Sequence, residues 1–301
     1  MTESVSQQRP RDLRRWLGIY LRGVAMGVAE LVPGVSGGTI AFVTGIYDEL
    51  VNTLAGLKIS AIGEFRAGPV QGIVLIWSRH NLTFLFVLGI GMITSVVLLA
   101  NILAIALESI RPIVWGFFFG IITLSIWLLG RDLPGRTLLV VGPLGLALGA
   151  GLSLLQPFAG DQSLWTFFLV GTIAVSAWLL PAISGSFILL LLGLYEPVIA
   201  ALSGPHWDVL LVFLSGCAAG LLLFANLLSL LLKVWRAPLL SILTGFMAGA
   251  LMQLWPWQTD DALVSPQAYS LLSGEPNFVA ATLLAMLAGA GVIWLLSRFE
   301  R

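Results

Sequence analysis

One short stretch occurs twice in this chain and limits what the rest can fold into. The first copy is Pro33-Gly34-Val35-Ser36-Gly37-Gly38-Thr39-Ile40, followed by Gly45-Ile46-Tyr47-Asp48. The second is Pro181-Ala182-Ile183-Ser184-Gly185-Ser186-Phe187-Ile188, followed by Gly193-Leu194-Tyr195-Glu196. The copies lie 148 residues apart, and six of their sixteen positions are identical. Each turn is embedded in apolar sequence. Turn backbone at membrane depth must be surrounded by protein or line a water-filled cavity, because lipid cannot satisfy its polar groups. Two such turns therefore predict a site.

That the surroundings are membrane follows from composition. Of 301 residues, 58% are hydrophobic and only 10% charged, against about 25% charged in soluble domains; mean hydropathy is +0.99. Zero net charge gives no footprint for nucleic acid. A lone cysteine, Cys217, in an apolar run excludes a disulfide framework or thiolate metal site. Apolar segments fall at 14–32, 38–57, 82–107, 112–130, 137–156, 163–180, 186–203, 208–232, 237–255 and 278–297. They are apolar all round, as for helices, not alternating as in a lipid-embedded barrel.

The ten segments divide five and five. A second alignment, at an offset of 125, pairs Gly91 with Gly216, Ala100-Asn101 with Ala225-Asn226, Arg111 with Arg236 and Gly120 with Gly245. The change of offset places 23 extra residues in the first half, around 58–80, where Lys58, Glu64, Arg66 and Arg79 cluster. After a polar tail, 1–10, the expectation is two copies of one unit, 11–156 and 161–299. Loop charges orient them. With the N-terminus cytoplasmic, Arg9, Arg11, Arg14, Arg15, Lys58, Arg66, Arg79, Arg131, Arg136, Lys233, Arg236, Arg298 and Arg301 fall inside. Outside, Arg111 stands alone against Glu108, Asp161, Glu196, Asp208, Asp260, Asp261 and Glu275. Both termini are then cytoplasmic. An odd number of crossings per unit inverts one copy relative to the other, a recurring transporter plan. If each motif segment pair is a re-entrant hairpin, the two turns enter from opposite faces and meet near the midplane.

The residues at the turns suit an oxyanion. A helix starting near Gly38 presents free N–H groups and a partial positive charge, its glycines allow close approach, and Ser36 and Thr39 add hydroxyls. Gly37, Gly38 and, in the second copy, Ser184, Gly185 and Ser186 complete the candidate phosphate site. The same residues could simply cap helices and pack closely. Arg22 is a candidate counter-ion or a side chain snorkelling to the interface. Glu30 is a candidate for proton coupling, for orienting Arg22, or for capping the turn. Val170 and Trp178 stand at their places in the second copy, so the site is asymmetric. Asn101 and Asn226 line a cavity or bond helix to helix. Tyr47, Asp48, Tyr195 and Glu196 read as interface anchors. No spacing suggests a metal, a cofactor or a nucleophile–base pair.

The paired turns, with Ala29-Glu30-Leu31-Val32 before the first and Gly193-Leu194-Tyr195 after the second, resemble the bacterial PopT family of polyprenyl-phosphate translocases. The resemblance runs along essentially the whole chain. It implies an inner-membrane flippase without enzymatic activity, returning undecaprenyl phosphate from the outer to the inner leaflet for cell-envelope polymer synthesis. Its partner would be the lipid, with self-association left open. The plan is also similar to undecaprenyl-pyrophosphate phosphatases, whose Pro-Gly-x-Ser turn continues with Arg and has paired glutamates nearby. Here Gly37 and Gly185 follow the serines and Glu30 is the only nearby carboxylate in the first half, which equips the chain poorly for hydrolysis. A transporter of small soluble anions is a third reading, weakened by the single deep arginine.

Overall fold

The computed structural model describes residues 9–32, 35–57, 71, 75–77, 79–155, 161–204, 206–259 and 262–298. Pro33, Gly34, Lys58, Glu64, Arg66, Asp260, Asp261 and Arg301 lie outside them. Thirteen α-helices of seven residues or more carry the described fold. In chain order they are α1 (Arg9–Glu30), α2 (Gly37–Val43), α3 (Tyr47–Gly56), α4 (Leu82–Ser109), α5 (Arg111–Arg131), α6 (Gly135–Ser153) and α7 (Leu164–Trp178). Then come α8 (Gly185–Leu191), α9 (Tyr195–Ser203), α10 (Trp207–Val234), α11 (Arg236–Ala250), α12 (Pro266–Ser273) and α13 (Val279–Arg298). No strand forms among the described residues; the one isolated β-bridge joins Gln258 and Leu263.

Five helices, α4, α5, α6, α10 and α11 with its 3₁₀ extension to Leu254, are long and apolar enough to cross a membrane. Counting the bent pair α8–α9 as one span makes six. The chain is a multi-pass membrane protein. Helix α7, of 15 residues, is apolar but shorter, and α13, of 20 residues, is apolar along its length. Among the described residues, five or six spans are thus long and apolar enough to cross alone, where ten apolar runs were expected.

The expected segments 38–57 and 186–203 are not continuous helices. Gly45 and Gly193 adopt φ of 72° and 67°, a left-handed conformation that costs glycine nothing and ends a helix. The next amide reaches back over six residues in both copies: Ile46 N donates to Ala41 O at 3.1 Å, and Leu194 N to Leu189 O at 2.9 Å. This is the Schellman stop. It turns α9 by 115° from α8.

The helices associate in pairs that repeat across the two halves. Helix α1 packs on α4 and α7 on α10, while α5 packs on α13 and α6 on α11. The last two pairings each join one helix from either half. Helices α4 and α10 both have 28 residues and begin 125 residues apart. Glycines mark the crossings. A side chain at Gly91 would strike the backbone of Tyr20, at Gly216 that of Phe168, at Gly120 that of Met286, and at Gly245 that of Gly142. Apolar helices gain little from burial within lipid, so small residues that let backbones approach drive their packing. The matched glycines of the two halves are these contact points.

One end of the molecule gathers charge. Arg15 Nη2 lies 2.9 Å from Glu49 Oε1, Asn81 Nδ2 donates to the same oxygen at 3.0 Å, and Asp48 Oδ2 pairs with Arg236 Nη1 at 2.6 Å. A cavity of about 410 Å³ beside them is lined by Phe42, Gly45, Asp132, Pro134 and Leu240, among others. Ser265 caps α12, Pro266 begins it and Gly274 ends it at φ 73°, a sequence of start and stop signals that propensity explains.

Candidate functional site

The two turns meet. Ser36, fully buried, is the N-cap of α2, and its Oγ accepts from Gly38 N at 3.1 Å. The same hydroxyl lies 3.5 Å from the carbonyl oxygens of Trp178 and Leu180, just ahead of the second turn. Thr39 Oγ1 accepts from Ala182 N at 2.7 Å, within the second turn itself. Tyr47 donates to Leu179 O at 2.9 Å. Gly38 is needed for this approach, because a Cβ there would sit 2.7 Å from Trp178 O. Tyr47 is thus a buried tie between halves, only 2% exposed, and not an interface anchor; Tyr195, at 36%, is exposed. Asp48 is an ion-pair partner.

Glu30 occupies the N-terminal end of α2. Its Oε1 accepts from Gly37 N at 2.7 Å and from Trp178 Nε1 at 2.7 Å. Thr39 N donates to Ser36 O at 2.9 Å. All three leading amides of α2 therefore already have partners, and a carboxyl oxygen stands where an external oxyanion would bind. Glu30 and Trp178 hold equivalent places in the two sequence copies, 148 residues apart, and they touch.

The second turn is less occupied. Ser184 heads α8 without a side-chain cap, and its Oγ lies 2.7 Å from Ser186 Oγ. Gly185 and Ser186 are half-buried, while Ser36, Gly37, Gly38 and Thr39 are buried. Ala182 holds φ of 64°, unusual for a residue with a side chain.

Three expected members stand elsewhere. Arg22 lies beside the C-terminus of α2, not at the turn, with Nε donating to Thr44 O at 3.1 Å. With Glu30 it brackets α2 at its two ends. Asn101 and Asn226 are on exposed faces of α4 and α10, where Asn226 Nδ2 donates to Leu222 O one turn back at 2.7 Å. Their match between the copies reflects helix position; neither is brought to the turns. The reading missed Trp178, whose indole N–H completes the Glu30 contact, although its equivalence to Glu30 was visible. It also missed Gly45 and Gly193 as helix stops, despite their identity in the two copies. No group of metal-ligating side chains occurs among the described residues.

A family profile described as undecaprenyl phosphate translocase-like matches residues 26–270. The chain belongs to that family. It is a family of translocases, so this is a transporter and the phosphatase reading falls. A protein of Vibrio cholerae serotype O1 named polyprenyl-phosphate transporter is 36% identical over 304 residues, covering 94% of this chain and 97% of its own length. A protein of the same name from Staphylococcus aureus is 29% identical over 264 residues, covering 80% of this chain and 87% of its own. No solved structure matches the chain.

Proposed function

We propose that this protein is a flippase that returns undecaprenyl phosphate from the outer to the inner leaflet of the bacterial cytoplasmic membrane. In this reading residues 11–156 and 161–299 are inverted repeats with both termini cytoplasmic. The helices α1–α2 and α7–α8 are re-entrant hairpins whose turns face each other near the midplane. The observation that carries the reading is the docking of the two turns, Thr39 Oγ1 on Ala182 N and Glu30 Oε1 on Trp178 Nε1. It is supported by the family to which the chain belongs and by the polyprenyl phosphate in the names of its relatives.

The chemistry fits a phosphate headgroup whose tail stays in lipid. Ser184, Gly185 and Ser186 offer hydroxyls and amides at the head of α8, where Ser184 is buried and Gly185 and Ser186 are half-buried. Ser36, Gly37, Gly38 and Thr39 offer the same groups on α2 once Glu30 releases Gly37 N. Phosphate and the Glu30 carboxylate would compete for one amide, because like charges at hydrogen-bond distance repel. Taking up a proton lets Glu30 leave without carrying a second negative charge past the phosphate, which couples the headgroup's entry to a proton. Arg22, at the far end of α2, balances charge along the path rather than clamping the headgroup.

Proteoliposomes loaded with labelled undecaprenyl phosphate test the function. Accessibility of the label should change leaflet with the protein present, and the S184A/S186A double variant should slow it at least tenfold. The same protein should release no inorganic phosphate from the pyrophosphate form. Lipid that never changes leaflet would remove the proposal.

A further inference from the structure

The two halves share their sequence pattern and their helix pairs, yet one contact is made on only one side. Helix α3 lies along α10, while its counterpart α9 does not lie along α4. On the closed side Ala225, Leu228 and Leu232 of α10 are buried, and Ser229 Oγ donates to Asn52 Oδ1 of α3 at 2.7 Å. Beside them Asp48, at the start of α3, pairs with Arg236, at the start of α11. On the other side the equivalent α4 residues Leu103 and Leu107 are only half-buried, and Ala104 is exposed.

The offsets that relate the copies carry Asp48 to Glu196 and Arg236 to Arg111. The acid and the base both recur. In this structure they are not joined: Glu196 is exposed, and Arg111 lies over the ring of Trp115 at 5.8 Å. Among the described residues neither makes an ion pair.

We infer that Asp48–Arg236 and Glu196–Arg111 are alternate gate latches, one closed in each end-state of transport. This rests on the inverted-repeat reading above. Exchanging the conformations of the two repeats exchanges their contacts. The α3–α10 seam, with Asp48–Arg236 and Asn52–Ser229, opens as an α9–α4 seam closes with Glu196–Arg111. The present structure then has its seam joined at the end that carries Arg15, Arg236 and the α5–α6 loop, the cytoplasmic end in the proposed orientation, and its seam unjoined at the outer end. That is the state able to receive a lipid from the outer leaflet.

Cross-linking reads the two seams directly. In a C217A background, the pair Asn52→Cys with Ser229→Cys reports the closed seam, and Ala200→Cys with Ala104→Cys reports its counterpart. In liposomes both pairs should link, in separate molecules. R236Q should lower the yield of the first pair and raise that of the second, shifting their ratio about two- to fivefold, as expected for one exposed ion pair. E196Q should shift it the opposite way, and the charge swap D48R with R236D should restore the starting ratio. If the Ala200/Ala104 pair links in no background, or both pairs fall together in R236Q, the latch pair is wrong. If the seams exchange while labelled undecaprenyl phosphate stays in its leaflet, the latches stand and the lipid reading fails instead.

Discussion

The contact that most directly joins the two turns is a single hydrogen bond, and two threonines of one short helix allow its contribution to be measured. Thr39, in the first turn of α2, and Thr44, its C-cap, are 0% and 2% exposed. Replacing either by valine keeps the volume and removes only a hydroxyl. Thr39 Oγ1 accepts from Ala182 N at 2.7 Å, so T39V leaves a buried amide without an acceptor, at about 1–3 kcal/mol. Thr44 Oγ1 instead donates to Ile40 O at 2.7 Å, and that carbonyl keeps the 2.9 Å bond from Thr44 N. T44V therefore orphans nothing and should cost roughly 0.5 kcal/mol or less. In thermal unfolding of detergent-purified protein, T39V should melt roughly 3–9 °C lower and T44V within about 2 °C of the parent. Transport should slow in T39V alone, because the turns lose their register. Equal melting temperatures for the two variants would show that Ala182 N has another partner and that the turns do not depend on this bond.

The remaining predictions concern the same few residues. A182G should raise the melting temperature by about 2–4 °C, because glycine relieves the left-handed backbone at φ 64°; a drop would place the strain elsewhere. E30Q retains an oxygen for Gly37 N and Trp178 Nε1 but cannot take up a proton, so the pH dependence of leaflet exchange should flatten while the fold survives. Unchanged pH dependence would remove the coupling role. E30A leaves both donors without an acceptor and should destabilise by about 2 kcal/mol or more. G120A forces a Cβ into Met286 O and should part α5 from α13, costing about 1–3 kcal/mol; a neutral result would mean that the crossing is looser than the backbone distances imply.

Hydropathy located the apolar helices because length and composition alone decide that property. It passed over the reversals at Gly45 and Gly193, since one residue at positive φ changes the direction of the chain without changing the polarity of the run. The identity of both glycines in the two copies was the available signal, and the Schellman amides of Ile46 and Leu194 supply its mechanism. Pairings between distant residues were beyond reach. Tyr47 sits beside Asp48 as an interfacial tyrosine would, and only its partner Leu179 O, 132 residues away, makes it a buried tie. Asn101 and Asn226, open to either a cavity or a helix-bonding role in the sequence, lie on exposed helix faces, and Asn226 bonds a carbonyl of its own helix; recurrence in both copies could not tell these roles apart.

Glu30 and Trp178 explain why a duplicated chain departs from its own repeat at the centre. Under the twofold relation proposed here, equivalent residues that touch must lie beside the axis, where each faces its own counterpart. Two glutamates there would set two carboxyl groups within hydrogen-bond distance in a partly buried site, where one would resist ionisation beside the other. Two tryptophans would present two N–H donors and no acceptor, leaving buried polar groups unsatisfied. One of each resolves both problems: the indole donates at 2.7 Å and the carboxyl oxygen accepts, with Gly37 N as its second donor. The same logic extends outward. Away from the axis, equivalent positions no longer meet and can stay alike, as Tyr47 with Tyr195 and Asp48 with Glu196 do. Asymmetry is thus required where equivalent residues meet at the axis, and likeness is retained in the outer residues, which in the proposed cycle close one face or the other.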